Sequence, residues 1–131
     1  MTIFKIFFLS IGLLLITGCT AKPDIQTPLI TTLQPSVTIP AGNLYFYSKT
    51  CLHCNTVAQY VSNNDIKNKG VHYFDLEVSE NKNNAEILRL IGQRCLITED
   101  NLSVPLLWYN QKCISGSDEI INFFTTQLQT N

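Results

Sequence analysis

Two cysteines separated by two residues are the part of this sequence best suited to do chemistry. Cys51 and Cys54 follow an apolar run at residues 44–48, where a predicted strand gives way to a predicted helix. A thiol at a helix N-terminus lies beside unpaired backbone N–H groups and the positive end of the helix dipole, which favour the thiolate. A second thiol one turn later can reach back and close a disulfide. The spacing therefore predicts a redox dithiol.

The N-terminal residues 1–18 have the pattern of an export signal. Residues 6–16 are apolar apart from two positions and are too short to span a bilayer as a stable helix. The sequence LITGC at residues 15–19 resembles the bacterial lipoprotein signal, in which an aliphatic residue and two small residues precede a lipidated cysteine. The resemblance implies lipidation of Cys19 and a membrane-anchored mature chain. An ordinary cleaved signal or an uncleaved anchor is the alternative.

The compartment follows from the same signal. Thr20 stands where an Asp would favour retention in the inner membrane of a Gram-negative cell, so the expectation leans toward a periplasm-facing protein of the outer membrane. Without Cys19, four cysteines remain, an even number that is compatible with pairing in an oxidising compartment. The net charge of −1 and the lack of a basic run argue against a nucleic-acid partner.

The mature chain divides into a tether and one domain. Residues 19–40 hold the lipidated N-terminus and a stretch rich in Thr, Pro and Gln that predicts an extended tether. Its apolar residues could instead pack on the domain; they are Ile25, Leu29, Ile30 and Leu33. Residues 41–131 are sufficient for a single core and too few for two.

The domain is predicted to have the element order β-α-β-α-β-β-α. The predicted strands are residues 44–48, 71–76, 104–109 and 113–114. The first predicted helix is residues 51–62, capped by Thr50, and the second begins at Asn83 or Asn84 and is stopped by Gly92. The last helix is capped by Ser117 or Asp118. A helix joins the first two strands, so they should be parallel with a right-handed crossover. A tight turn joins the last two, which should be antiparallel. The pattern predicts an α/β domain with a central four-stranded mixed sheet flanked by helices.

Three features together resemble a thioredoxin or glutaredoxin domain over residues 42–129. They are the Cys-x-x-Cys after the first strand, Val104-Pro105 opening the third strand, and a Gly-containing turn before the last helix. The resemblance implies a thioredoxin-like fold, exchange with protein thiols and disulfides, and no cofactor. It also implies a cis Pro105 beside the dithiol, which exposes neighbouring backbone to an extended substrate strand. An ordinary trans proline at a strand start is the alternative.

The resemblance assigns different roles to the two thiols. Cys51 attacks a disulfide and forms a mixed disulfide, which Cys54 resolves. His53 can stabilise the thiolate by a hydrogen bond or, when protonated, by charge, and a stabilised thiolate makes the disulfide more oxidising. Bacterial periplasmic disulfide oxidases have His at this position, but this chain has Leu52 where they have Pro and lacks their inserted helical domain. An exposed spectator histidine is the alternative for His53.

A loose resemblance extends to the glutathione site of glutaredoxins. Ser115-Gly116-Ser117-Asp118 is similar to their Gly-Gly-x-Asp turn, with one glycine replaced by serine. The resemblance implies a weak glutathione-like site at Val104, Gly116, Ser117 and Asp118, where helix N-terminal amides could hold a carboxylate. A plain helix cap explains the same residues and is the favoured interpretation.

Cys95 and Cys113 are the remaining cysteines of the domain. We expect them near the sheet end that carries the dithiol, or on its flank. A structural disulfide between them would tie a long loop to the last hairpin and contribute roughly 3 kcal/mol on the chain-entropy model. A second redox pair that exchanges with Cys51 and Cys54 is the alternative.

Three functions remain open from the sequence. The leading hypothesis is a membrane-anchored thiol-disulfide oxidoreductase that acts on protein disulfides and exchanges electrons with a redox partner in the cell envelope. The second is a copper-binding or metal-delivery module using Cys51, Cys54 and His53, since soft thiolates suit Cu(I); other metal-site signals are missing, so no metal ligand is assigned. The third is a non-catalytic interaction lipoprotein with a permanent disulfide.

Overall fold

The computed structural model of the chain describes residues 36–130. The predicted signal, the lipidation candidate Cys19 and most of the predicted tether lie outside the described residues. No helix within residues 36–130 has the length and apolar character that crossing a membrane requires.

The described domain follows the element order that the sequence predicts. In chain order the elements are β1 (Leu44–Tyr47), α1 (Leu52–Asn63), β2 (Phe74–Glu77), α2 (Lys82–Arg94), a short 3-10 turn (Glu99–Asn101), β3 (Leu106–Tyr109), β4 (Lys112–Ser115) and α3 (Ser117–Thr130).

The four strands form one mixed sheet in the order β2-β1-β3-β4. β1 and β2 are parallel, because α1 carries the chain back to the start of the sheet between them. β1 pairs antiparallel with β3, and β3 with β4. The hairpin between β3 and β4 turns at Asn110 and Gln111, which have φ values of 47° and 63°. Two successive positive φ values are typical of a two-residue turn whose twist matches its strands.

Helices cover both faces of the sheet, because alternate strand residues point to opposite sides. One buried cluster, the α2-face core, joins β1 and β3 to α2; it consists of Leu44, Phe46, Ile87, Leu88, Ile91, Leu106 and Trp108. The other joins the sheet to α1 and α3; it consists of Tyr45, Val57, Ile66, Val71, Leu107, Ile120 and Phe124. Burying a large apolar side chain of this kind contributes about 1.5–3 kcal/mol. This sheet between two helical layers is the α/β thioredoxin-like fold that the sequence predicts.

The bounds of α2 differ from the prediction at both ends. The helix begins at Lys82 because Asn81 caps it, its Oδ1 accepting from the N–H groups of Asn83 at 3.0 Å and Asn84 at 3.2 Å. The prediction that Gly92 ends the helix is wrong, since the helix continues through it to Arg94.

Gly92 serves a packing role inside α2. A Cβ built at this buried position would lie 2.8 Å from Leu102 Cδ1 and 3.0 Å from Leu102 Cδ2. The glycine therefore lets the Leu102 side chain approach the helix backbone.

Two other boundaries are shifted. β2 begins at Phe74 rather than Val71, whose N–H donates to the Ile66 carbonyl at 3.4 Å in the turn that precedes the strand. Val37 and Ile39 pack against the α2-face core, so the packed region starts a few residues before position 41.

Candidate redox site

Cys51 occupies the cap position of α1, directly after the sheet. Its backbone is extended, with φ −82° and ψ 115°, and its Sγ accepts a hydrogen bond from the Cys54 backbone N–H at 3.1 Å. Its own N–H donates to the Ser48 carbonyl at 3.1 Å and closes the turn after β1. The predicted cap was Thr50, but the cysteine sulfur itself caps the helix. An N–H aimed at the sulfur stabilises a thiolate more than a thiol.

The two sulfurs of the Cys-x-x-Cys differ in exposure. They are joined in a disulfide with the Cα atoms 5.2 Å apart. Cys51 is partly exposed, whereas Cys54 is only 2 % exposed, inside the first turn of α1. Between them, Leu52 is 76 % exposed and His53 is also exposed. A substrate sulfur can therefore approach Cys51 more readily than Cys54.

Val104 and Pro105 lie beside the dithiol. The peptide bond between them is cis, and the Val104 carbonyl oxygen lies 3.6 Å from Cys51 Sγ. Pro105 is buried at the start of β3. In the dithiol form the Cys51 S–H can donate to this carbonyl. The structure brings these residues together; the substrate-strand role of Pro105 stays a prediction.

His53 contacts the start of α3. Its Nδ1 lies 3.5 Å from Ser117 Oγ, which donates to Asp118 Oδ1 at 3.3 Å. The contact joins the exposed face of the Cys-x-x-Cys turn to the last helix. The role of His53 in tuning the thiolate stays a prediction.

The residues of the glutathione-like turn also lie near this end of the sheet. The Gly116 N–H donates to the Pro105 carbonyl at 3.0 Å, and Gly116 has a φ of 91° that suits glycine. Ser117 and Asp118 form the first turn of α3. The structure therefore places Val104, Gly116, Ser117 and Asp118 around one turn, and glutathione binding there stays a prediction.

A hydrogen-bonded network supports the turn before Cys51, and the sequence reasoning did not identify it. The buried Ser48 donates its hydroxyl to Ser79 Oγ at 3.2 Å, and the Ser79 hydroxyl donates to the Glu77 carboxylate. The same carboxylate accepts from the N–H groups of Ser79 at 2.9 Å and Glu80 at 2.8 Å. These hydrogen bonds lower the pKa of Glu77 from 4.5 to about 2, and the bond from the Ser79 hydroxyl has the largest effect. Partial desolvation acts in the opposite direction and is outweighed.

Cys95 and Cys113 form a disulfide at the opposite end of the sheet from the dithiol. Their Cα atoms are 6.1 Å apart; Cys95 ends α2 and Cys113 lies in β4, opposite Trp108. Trp108 in turn lies opposite Leu44, where β1 begins, whereas the dithiol follows Tyr47, where β1 ends. The expectation that these cysteines lie near the dithiol end is therefore wrong. Direct exchange needs contact between sulfurs, so this arrangement favours the structural role, which stays a prediction.

A metal site finds no support in the described chain. Within residues 36–130 there is no group of three or more His, Cys, Asp or Glu side chains placed to hold a metal ion.

Comparisons with known proteins give similarities in three-dimensional structure. No family model matches the chain, and no curated protein matches it. Buckwheat glutaredoxin in complex with glutathione has 17 % identity and a TM-score of 0.48, covering 68 % of this chain and 77 % of its own. The holo form of glutaredoxin C1 from Populus tremula × tremuloides has 20 % identity and a TM-score of 0.48, covering 72 % and 81 %. Wheat glutaredoxin has 18 % identity and a TM-score of 0.48, covering 70 % and 83 %.

Proposed function

We propose that this protein is a thiol-disulfide oxidoreductase that acts on protein disulfides through Cys51 and Cys54. The observation that carries the proposal is the placement of Cys51, a partly exposed residue at a helix N-terminus whose Sγ lies 3.1 Å from a backbone N–H. This arrangement gives an accessible sulfur that is stabilised as a thiolate.

The chemistry is the transfer of two electrons from a dithiol to a disulfide. The Cys51 thiolate attacks one sulfur of the substrate disulfide, forms a mixed disulfide, and releases the other sulfur as a thiolate. The Cys54 thiolate then attacks Cys51 Sγ, which re-forms the Cys51–Cys54 disulfide and releases the second substrate sulfur. The substrate gains two electrons and the protein dithiol loses them; the reverse sequence oxidises a substrate dithiol. The partly exposed Cys51 and buried Cys54 suit these two steps.

The proposal includes a place in the cell. The LITGC sequence at residues 15–19 supports lipidation of Cys19 and a periplasm-facing anchor in the bacterial envelope, with the outer membrane favoured. A redox partner in the same compartment would return the dithiol to its working state. Mass analysis of the mature N-terminus tests this part: it should begin at an acylated Cys19, and an N-terminus elsewhere or an unmodified Cys19 would refute it.

Catalytic exchange is tested with a disulfide-linked protein substrate in a thiol redox buffer. Cys51→Ser should abolish turnover, and Cys54→Ser should accumulate a mixed disulfide between Cys51 and the substrate. Leu96→Ser, at an exposed residue far along the chain from the dithiol, is the control and should retain turnover. Turnover by Cys51→Ser at the wild-type rate would refute the proposal.

A further inference from the structure

The connection from α2 to β3 links the two disulfides of the domain. Residues 96–105, here called the 96–105 segment, begin after Cys95 at one end of the sheet and end beside Cys51 at the other. β3 starts at Leu106, which lies opposite Phe46 near the end of β1, whereas Cys113 lies opposite Trp108. The segment therefore runs from the Cys95–Cys113 disulfide back to the dithiol.

The segment is fixed to the rest of the domain at several points along its path. The Cys95–Cys113 bond holds its start to β4, and the Ile97 N–H donates to the Gly92 carbonyl at 2.9 Å. The Leu102 side chain lies against Gly92, so closely that it would have to shift to admit a Cβ. Ile97, Leu102 and Val104 all pack against the α2-face core. The position of Val104 therefore depends on contacts made far from the dithiol.

Two backbone groups with opposite preferences face Cys51 Sγ. The Cys54 N–H, at 3.1 Å, stabilises the thiolate, whereas the Val104 carbonyl oxygen, at 3.6 Å, accepts from the S–H group and stabilises the thiol. Moving the Val104 carbonyl away would leave the N–H unopposed and raise the thiolate fraction. The reactivity of Cys51 should therefore respond to how firmly the 96–105 segment is held.

We propose that the Cys95–Cys113 disulfide and the Gly92–Leu102 contact are positioning elements of the redox site, which hold the Val104 carbonyl against Cys51. The proposal rests on the proposed function only in taking Cys51 as the nucleophile. On this proposal the Cys95–Cys113 disulfide changes the reactivity of Cys51 through the 96–105 segment, without contact between the two pairs of sulfurs.

The test measures alkylation of Cys51 by iodoacetamide as a function of pH. In a Cys54→Ser background Cys51 is a free thiol while Cys95–Cys113 stays oxidised, which peptide mapping verifies. Two variants are added separately to this background: Cys95→Ser/Cys113→Ser, and Gly92→Ala, which displaces Leu102 and keeps the disulfide. Each variant should move the midpoint of the pH profile to lower pH. Below that midpoint the alkylation rate should rise by about threefold, because Cys51 loses a weak hydrogen bond that favours its thiol form.

Two controls separate positioning from general loosening. Leu96→Ser changes an exposed residue of the same segment, and Ile87→Val trims the α2-face core outside the segment. Both should leave the midpoint unchanged. The proposal is overturned if either anchor variant keeps the parent midpoint, or if Ile87→Val shifts it as far. Alkylation needs no turnover, so failure of the proposed catalytic function would appear separately, in the exchange assay.

Discussion

The sulfur of Cys51 lies between a backbone donor and a backbone acceptor, the Cys54 N–H and the Val104 carbonyl. The sequence predicted the dithiol and its place at a helix start, because a Cys-x-x-Cys after an apolar strand is a local pattern. The network of Ser48, Ser79 and Glu77 was not predictable in this way. The bond that connects the network to the turn before Cys51 joins Ser48 to Ser79, 31 positions apart, and no local periodicity or spacing marks it.

Glu77 should make the stability of the domain dependent on acid pH. Folding lowers the pKa of Glu77 from 4.5 to about 2. The carboxylate therefore makes its full contribution to the free energy of unfolding above pH 4.5, and this contribution is lost as the pH falls through about 2. Glu77→Gln should therefore unfold at lower urea concentration than the wild type at neutral pH, and the difference should shrink in this acid range.

Urea titrations of both proteins across that range check the prediction. Asp100→Asn, at an exposed carboxylate of the 3-10 turn, is the matched control and should show a smaller effect. A difference between Glu77→Gln and wild type that stays constant down to about pH 2 would contradict the assignment.

At the scale of elements, α2 shows where local reasoning succeeds and where it fails. The apolar spacing of Leu88 and Ile91 predicted the helix, and both are buried in the α2-face core. Gly92 was predicted to end it, since glycine is common just past helix C-termini. The helix instead continues to Arg94, and Gly92 packs against the side chain of Leu102, ten positions away, a contact that the sequence pattern does not show.

Gly92→Ala should therefore not give the stabilisation that alanine normally brings inside a helix. Alanine is favoured over glycine by about 1 kcal/mol in a helix interior. Here the added Cβ meets Leu102 at 2.8 Å, and overpacking of this kind costs about 1–3 kcal/mol. We expect a net loss of about 1 kcal/mol in the free energy of unfolding, measured by urea denaturation.

Leu102→Ala/Gly92→Ala is the matched comparison, because removing the opposing side chain leaves space for the new methyl group. Adding Gly92→Ala to Leu102→Ala should be neutral or stabilising. The prediction would be contradicted if Gly92→Ala alone raised the free energy of unfolding by the amount normal for a helix interior. That result would show that Leu102 moves aside at no cost.

At the scale of the whole molecule, the topology was predictable and the placement of the second disulfide was not. A helix between β1 and β2 requires a parallel pair, and a two-residue turn between β3 and β4 requires an antiparallel one. The position of Cys113 depends on strand register, which places it opposite Trp108, away from the dithiol. Register is set by side-chain packing across the sheet, which local sequence patterns do not reveal.

The Cys95–Cys113 disulfide should act on the stability of the whole domain. It closes a loop with a sequence separation of 18. On the chain-entropy model, Cys95→Ser/Cys113→Ser should lower the free energy of unfolding by about 3 kcal/mol. Urea unfolding of the oxidised double variant against the oxidised wild type measures this; a loss below about 0.5 kcal/mol, within the scatter of surface substitutions, would contradict a structural role.

The measurement that tests the central claim most directly is a redox titration of the Cys51–Cys54 disulfide, with each disulfide followed by mass spectrometry. A redox-active pair should exchange reversibly, with a potential in the range of about −270 to −120 mV that thiol-disulfide oxidoreductases cover. Cys95–Cys113 should stay oxidised in the same samples. If Cys51–Cys54 instead stays oxidised in buffers poised below about −300 mV, as structural disulfides do, it is not a redox centre and the proposed function is wrong.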